Sequence, residues 1–168
     1  MTRLGRLRRL VGKPLWVTRV GWDTPPQNPQ GLSPARQARY LGEALYLADR
    51  AGAALVAWSG LQDRPSYLPG FPSIASGLFF NHQNDLTLDT PKPAFRAYRF
   101  PFAVTRAEAW GVAPRSGATV RIEKRRGRSW RRVSSVQPSR SGEFTVPVPG
   151  PGVYRARQAG VRSLAWSD

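Results

Sequence analysis

A chain of 168 residues has room for one full domain or two small ones. The absence of cysteine excludes a disulfide framework and any thiolate metal site, and a single histidine, His82, excludes a multi-histidine metal centre. A hydrophobic fraction of 40% argues against wholesale disorder, and a formal charge of +16 directs attention to anionic partners.

The first element is a short helix. In residues 3–11, Leu4, Leu7 and Leu10/Val11 make one apolar stripe on a basic helix, which Gly12 caps and Pro14 stops. Such a helix suits a membrane surface, but it is only about two turns long. No apolar run approaches the roughly 18 residues that span a bilayer. No membrane partner is expected, and with no signal peptide recognisable the chain is expected to stay in the cytoplasm.

Leu15 to about Val20 reads as a strand apolar on both faces, as in a buried parallel sheet. A loop rich in proline follows, from Asp23 to Leu32. Ser33-Pro34 then starts a helix, with the hydroxyl as N-cap and proline in the first turn. That helix runs to about Ala51, with Gly52 as its cap, and Ala53–Trp58 is a second apolar strand. Strand, helix and strand predict a parallel pair. Residues 59–90 are loop-like, punctuated by Pro65, Pro69, Gly70, Pro72 and Gly77, and Pro93 opens a last short helix ended by Pro101.

Beyond Phe102 the pattern changes. Short alternating runs recur at Glu108–Val112, Thr119–Lys124, Ser129–Val136, Glu143–Val148, Val153–Arg157 and Ser163–Trp166, separated by turn residues. They predict a small antiparallel β-sandwich over residues 103–168, and the boundary near residue 102 divides the chain into two domains.

The pieces Leu15-Trp16-Val17-Thr18-Arg19-Val20-Gly21-Trp22-Asp23-Thr24, Gln37-Ala38-Arg39-Tyr40-Leu41, Ala57-Trp58, Ser76-Gly77-Leu78, Lys92-Pro93-Ala94 and Phe100-Pro101-Phe102 come in a familiar order. Their order resembles the C-terminal part of retaining (β/α)8-barrel glycoside hydrolases, particularly bacterial β-glycosidase or cellulase-like members. The resemblance implies an α/β plus all-β fold: residues 1–102 as a partial barrel (strands seven and eight with their helices), then the β-sandwich. It also implies a missing N-terminal barrel portion, or self-association in its place, and a chain that is a fragment or decayed copy.

Retaining glycosidases need two carboxyl groups about 5–5.5 Å apart. In the family a glutamate nucleophile directly follows the Trp-x-Thr of the seventh strand, and here that position is Arg19. A guanidinium cannot attack an anomeric carbon, and the fourth-strand acid/base is absent. The resemblance therefore implies an inactive, glycoside-hydrolase-like chain with no catalytic residues and no cofactor. Weak binding of a glycan falls to Trp22 and Trp58, whose faces could stack on a sugar ring.

Asp23 and Asp63 are expected to cap loops or to pair with arginine, Asp23 with Arg19, and His82 to hydrogen-bond within its loop. The alternative reading is a basic β-domain that binds nucleic acid. Its carrier is the segment Lys124–Arg132, a hairpin with Trp130 as its one aromatic, where Arg125, Arg126, Arg131 and Arg132 are the cations to test. Against it stands composition: 23 of the 26 basic residues are arginine, a bias that a GC-rich genome produces without any ligand.

Overall fold

A computed structural model describes residues 3–64, 74–82, 85 and 87–167. The loop positions Pro65, Pro69, Gly70 and Pro72 lie outside the described residues. The chain divides into two compact units, Met1–Phe95 and Arg96–Asp168.

The first unit holds α1 (Arg3–Val11), β1 (Leu15–Val20), α2 (Pro34–Arg50), β2 (Ala53–Trp58), β3 (Phe79–Phe80) and β4 (Thr90–Pro91). The start of α2 follows its sequence signal: the Ser33 hydroxyl accepts from the Arg36 N–H at 3.3 Å, with Pro34 at the first helical position. Gly52, at φ +71°, turns the chain out of the helix and donates its N–H to the Asp49 carbonyl at 2.7 Å. β1 and β2 pair in parallel, with Trp16 opposite Leu55 and Val20 opposite Trp58. β3 and β4 form a separate antiparallel pair of two residues each.

This arrangement overturns the barrel. Among the described residues the β1–β2 sheet contains no further strand, and the remaining sheets are small and antiparallel, so these residues show no barrel alternation and no closure. A strand of a closed barrel is covered inside by core and outside by helices. Here no residue of β1 or β2 is fully buried, and Trp16 and Leu55 are 63% and 42% exposed. The apolar composition that predicts burial on both faces is met by partial cover only.

What fixes the loops of this unit is a buried ion pair. Thr24, Asp63 and Lys92 are all fully buried. The Lys92 ammonium donates to Asp63 Oδ1 at 2.7 Å, to Thr24 Oγ1 at 2.8 Å and to the Ala75 carbonyl at 2.9 Å. All three of its protons are thus used, and Nζ also lies 4.9 Å from the Phe80 ring centroid. Asp63 Oδ1 accepts in addition from the Gly77 N–H at 2.9 Å. A Cβ at Gly77 would stand 2.4 Å from the Asp63 nitrogen, so only glycine permits that approach. The partner of Asp63 is therefore a lysine from far along the chain, with no arginine involved.

α3 (Pro93–Arg99) leads into the second unit, which holds β5 (Phe102–Val104), β6 (Glu108–Val112), β7 (Val120–Arg126), β8 (Ser129–Val136), β9 (Glu143–Pro147), β10 (Val153–Gln158), β11 (Val161–Arg162) and β12 (Trp166–Ser167). β5, β6 and β9 form a three-stranded antiparallel sheet. A five-stranded sheet runs β11-β10-β7-β8, with β12 also paired to β10. Phe102, Val104, Trp110, Val120, Ile122, Phe144, Tyr154 and Ala156 are buried and form this unit's core. The two sheets partly fit a small sandwich.

Removing one partner from a buried pair leaves the other charge without compensation. Lys92→Met is expected to destabilise the first unit by about 3–5 kcal/mol in urea unfolding. Burial is the main cause that holds the Lys92 ammonium below its ordinary 10.5, against the pull of Asp63. The native form then sheds this proton before the unfolded chain does, so stability rises with pH from the native value toward 10.5. Burial likewise holds the Asp63 carboxyl above 3.8, so its contribution declines as pH climbs from 3.8 toward the native value. Urea melts across pH should show the alkaline rise in the parent and lose it in Lys92→Met.

Candidate nucleic-acid interface

The residues that the resemblance singled out lie at the C-terminal ends of β1 and β2. Arg19, Trp22, Asp23, Asn28, Ser59 and Ser76 contribute to the lining of a polar cleft of about 680 Å³. Arg19 is exposed there and does not pair with Asp23. Asp23 instead caps its loop, accepting from the Ala75 N–H at 3.2 Å on Oδ1 and from Asn28 Nδ2 at 3.4 Å on Oδ2.

Trp22 and Trp58 come together with ring centroids 6.0 Å apart and planes tilted by 46°, and Tyr40 meets Trp22 edge-on at 5.4 Å. Only Trp22 of the two lines the cleft, and the buried Trp58 Nε1 has no hydrogen-bond partner. His82 hydrogen-bonds within its loop, donating its N–H to Asp89 and meeting Thr90 Oγ1 at 3.2 Å through Nε2.

The second unit presents a different surface. Successive side chains of a strand point to opposite faces, and residues directly paired across strands share a face. On β7, Val120 and Ile122 are buried whereas Arg121 and Arg125 are exposed. Pairing extends this outward face: Arg121 opposes Arg157, Glu123 opposes Arg155 on one side and Arg132 on the other, and Arg125 opposes Trp130. Arg157 in turn opposes Arg162 on β11. Arg121, Arg125, Arg132, Arg155, Arg157 and Arg162 therefore lie on one face of the five-stranded sheet, around Trp130.

Glu123 is the acid among these paired positions, and it is committed. Its Oε2 accepts from Arg155 Nε at 2.6 Å, and the Arg155 guanidinium lies 4.1 Å from the Trp130 ring centroid. Arg155 is thereby held over the indole, an arrangement that orients the aromatic. Among the described residues, none of the other five arginines forms an ion pair with a carboxylate.

The basic hairpin divides accordingly. Arg125 and Arg132 belong to the open face, but Arg126 pairs with Ser129 and Arg131 with Lys124 on the opposite side. Lys124 itself is buried: its ammonium donates to the Pro149 carbonyl at 2.7 Å and lies 5.1 Å from the Tyr154 ring centroid. Reading Lys124–Arg132 as a single basic run misses Arg121, Arg155, Arg157 and Arg162. The period-two spacings Arg121-x-Glu123-x-Arg125 and Arg155-x-Arg157 are the signal that would have found three of them.

No protein-family model matches the chain, and no curated protein matches it either. Nothing therefore supports membership of the glycoside hydrolases, and with the barrel absent that reading is withdrawn together with the missing barrel portion as a partner.

Lys124→Met keeps the aliphatic stem but removes a charged hydrogen bond, and should cost the second unit about 2 kcal/mol. Thermal unfolding followed by far-UV circular dichroism checks this.

Proposed function

We propose that this chain binds single-stranded nucleic acid on the arginine-covered face of its five-stranded sheet. One observation carries the reading: six arginines drawn from β7, β8, β10 and β11 share one sheet face with a tryptophan and a single carboxylate.

Exposed guanidinium groups along a sheet can follow a phosphate backbone as bidentate donors. An open antiparallel sheet with an aromatic among the cations suits splayed bases, which stack on indole rings and guanidinium planes with little regard to sequence. Arg155, neutralised by Glu123 and packed on Trp130, positions that platform. Arg121, Arg125, Arg132, Arg157 and Arg162 supply the net charge.

Fluorescence anisotropy with a labelled oligonucleotide across a salt series tests this. Affinity should fall steeply as salt rises, and each phosphate-contacting arginine lost should lower the salt slope by about 0.7. Arg121→Gln, Arg132→Gln and Arg157→Gln combined should therefore reduce it by about 2. Trp130→Ala should weaken binding by about 1–3 kcal/mol with the slope unchanged. Arg126→Gln with Arg131→Gln, on the other face, and Lys124→Met should leave the slope near that of the parent. Equal losses from both faces would show that the chain adsorbs through net charge alone and would remove the proposal.

A further inference from the structure

The first helix leaves its apolar stripe in solvent. α1 forms because leucine and arginine favour helices, and it ends where Gly12, at φ +64°, donates its N–H to the Arg8 carbonyl at 3.0 Å. An amphipathic helix ordinarily buries its apolar stripe and exposes its charges. Here Leu4, Leu7, Leu10 and Val11 are 37%, 48%, 79% and 57% exposed. Among residues 4–11 of the helix the half-buried one is Gly5, on the side away from the stripe. Arg8 reaches over Gly52, where a Cβ would stand 2.2 Å from its Nη1. The helix thus approaches the rest of its unit through Gly5 and Arg8 and leaves its leucines in solvent.

Charge selects what would cover that stripe. Residues 1–22 contain five arginines and one lysine, and the first acidic residue is Asp23. Beside α1 lies a cleft of about 590 Å³ lined by Arg8, Arg9, Gly12, Lys13, Pro14, Gly52 and Ala54, with no carboxylate among them. A purely apolar partner would leave the cations of Arg8 and Lys13 on this rim without a counterpart. An anionic lipid surface matches both parts, taking leucines into its acyl boundary and phosphates onto the rim.

We propose that α1 docks this chain on an anionic bilayer, with Leu4, Leu7, Leu10 and Val11 inserted and a lipid phosphate held by Arg8, Arg9 and Lys13. The short helix does not span the membrane; it lies in the interface and acts together with the charge around it. This departs from the expectation of no membrane partner, which rested on the length of the stripe and not on its exposure.

Because a chain of this net charge adsorbs to anionic vesicles by charge alone, dependence on the leucines is the decisive readout. Co-sedimentation should be measured with the full chain on phosphatidylcholine vesicles and on vesicles with one-fifth phosphatidylserine. The parent should bind the phosphatidylserine vesicles at least tenfold more tightly. Leu7→Asn with Leu10→Asn should lower that binding at least fivefold and leave the circular dichroism spectrum unchanged, since both side chains face solvent. Arg8→Gln, Arg9→Gln and Lys13→Gln together should lower the preference for phosphatidylserine more than Arg121→Gln, Arg132→Gln and Arg157→Gln, an equal loss of charge elsewhere on the chain. Millimolar inorganic phosphate at constant ionic strength should not compete.

Binding unaffected by the leucine substitutions would overturn the proposal, as would sedimentation with neither vesicle. Competition by inorganic phosphate would assign the rim to a free anion instead. A dimer seen by analytical ultracentrifugation and lost in the leucine variant, without vesicle binding, would assign the stripe to a second copy of the chain.

Discussion

An ammonium group buried away from water has to find its whole solvation shell in the protein. In the first unit that requirement falls on Lys92, and three chain segments converge to meet it: the Thr24 loop, the Asp63 loop and the Ala75–Gly77 stretch. None has extensive secondary structure of its own. The ion pair therefore does for these loops what a sheet ladder does for strands, and the cleft next to it inherits its shape from the pair. Asp23 joins the same assembly through the Ala75 N–H. Asp23 and Asp63 are both occupied in holding loops.

The second unit follows a different rule, the alternation of side chains along a strand. One register decides at once that Val120, Ile122, Tyr154 and Ala156 fill the core and that Arg121, Arg155 and Arg157 do not. A one-residue slip would exchange the two sets. The Glu123–Arg155–Trp130 contact links three strands across the charged face, where packed apolar side chains are lacking. Folding and charge display are thus set by the same pairing.

Much of the local structure is legible in the sequence. Ser33-Pro34, Gly52, Gly12-x-Pro14 and the short alternating runs each carry a stereochemical instruction that acts within a few residues. The long-range arrangement is not legible in the same way. Leu15–Val20 and Ala53–Trp58 have the composition of strands sandwiched between core and helices, but composition cannot say whether a third strand is present to close the sheet. Lys92 looks like a helix-start residue beside a proline, and nothing near it announces a partner 29 residues earlier. The hairpin run is visible as charge, yet the face of each cation is set by the register and by the irregularity between Ile122 and Glu123. Arg121, Arg157 and Arg162 become one surface only when β10 is placed between β7 and β11.

The two-stranded β1–β2 sheet leaves one backbone edge of each strand without a strand partner among the described residues. Beside it stand the exposed Trp16 and Leu55. Such an edge is a template for pairing with another chain. A net charge of +16 opposes that encounter by colloidal repulsion, which acts over about 8 Å at physiological ionic strength and shrinks to about 3 Å in molar salt. The arginine excess then has a second physical effect, independent of any ligand. It keeps copies of an open-edged sheet apart, and the margin it provides narrows as counterions or polyanions neutralise the chain.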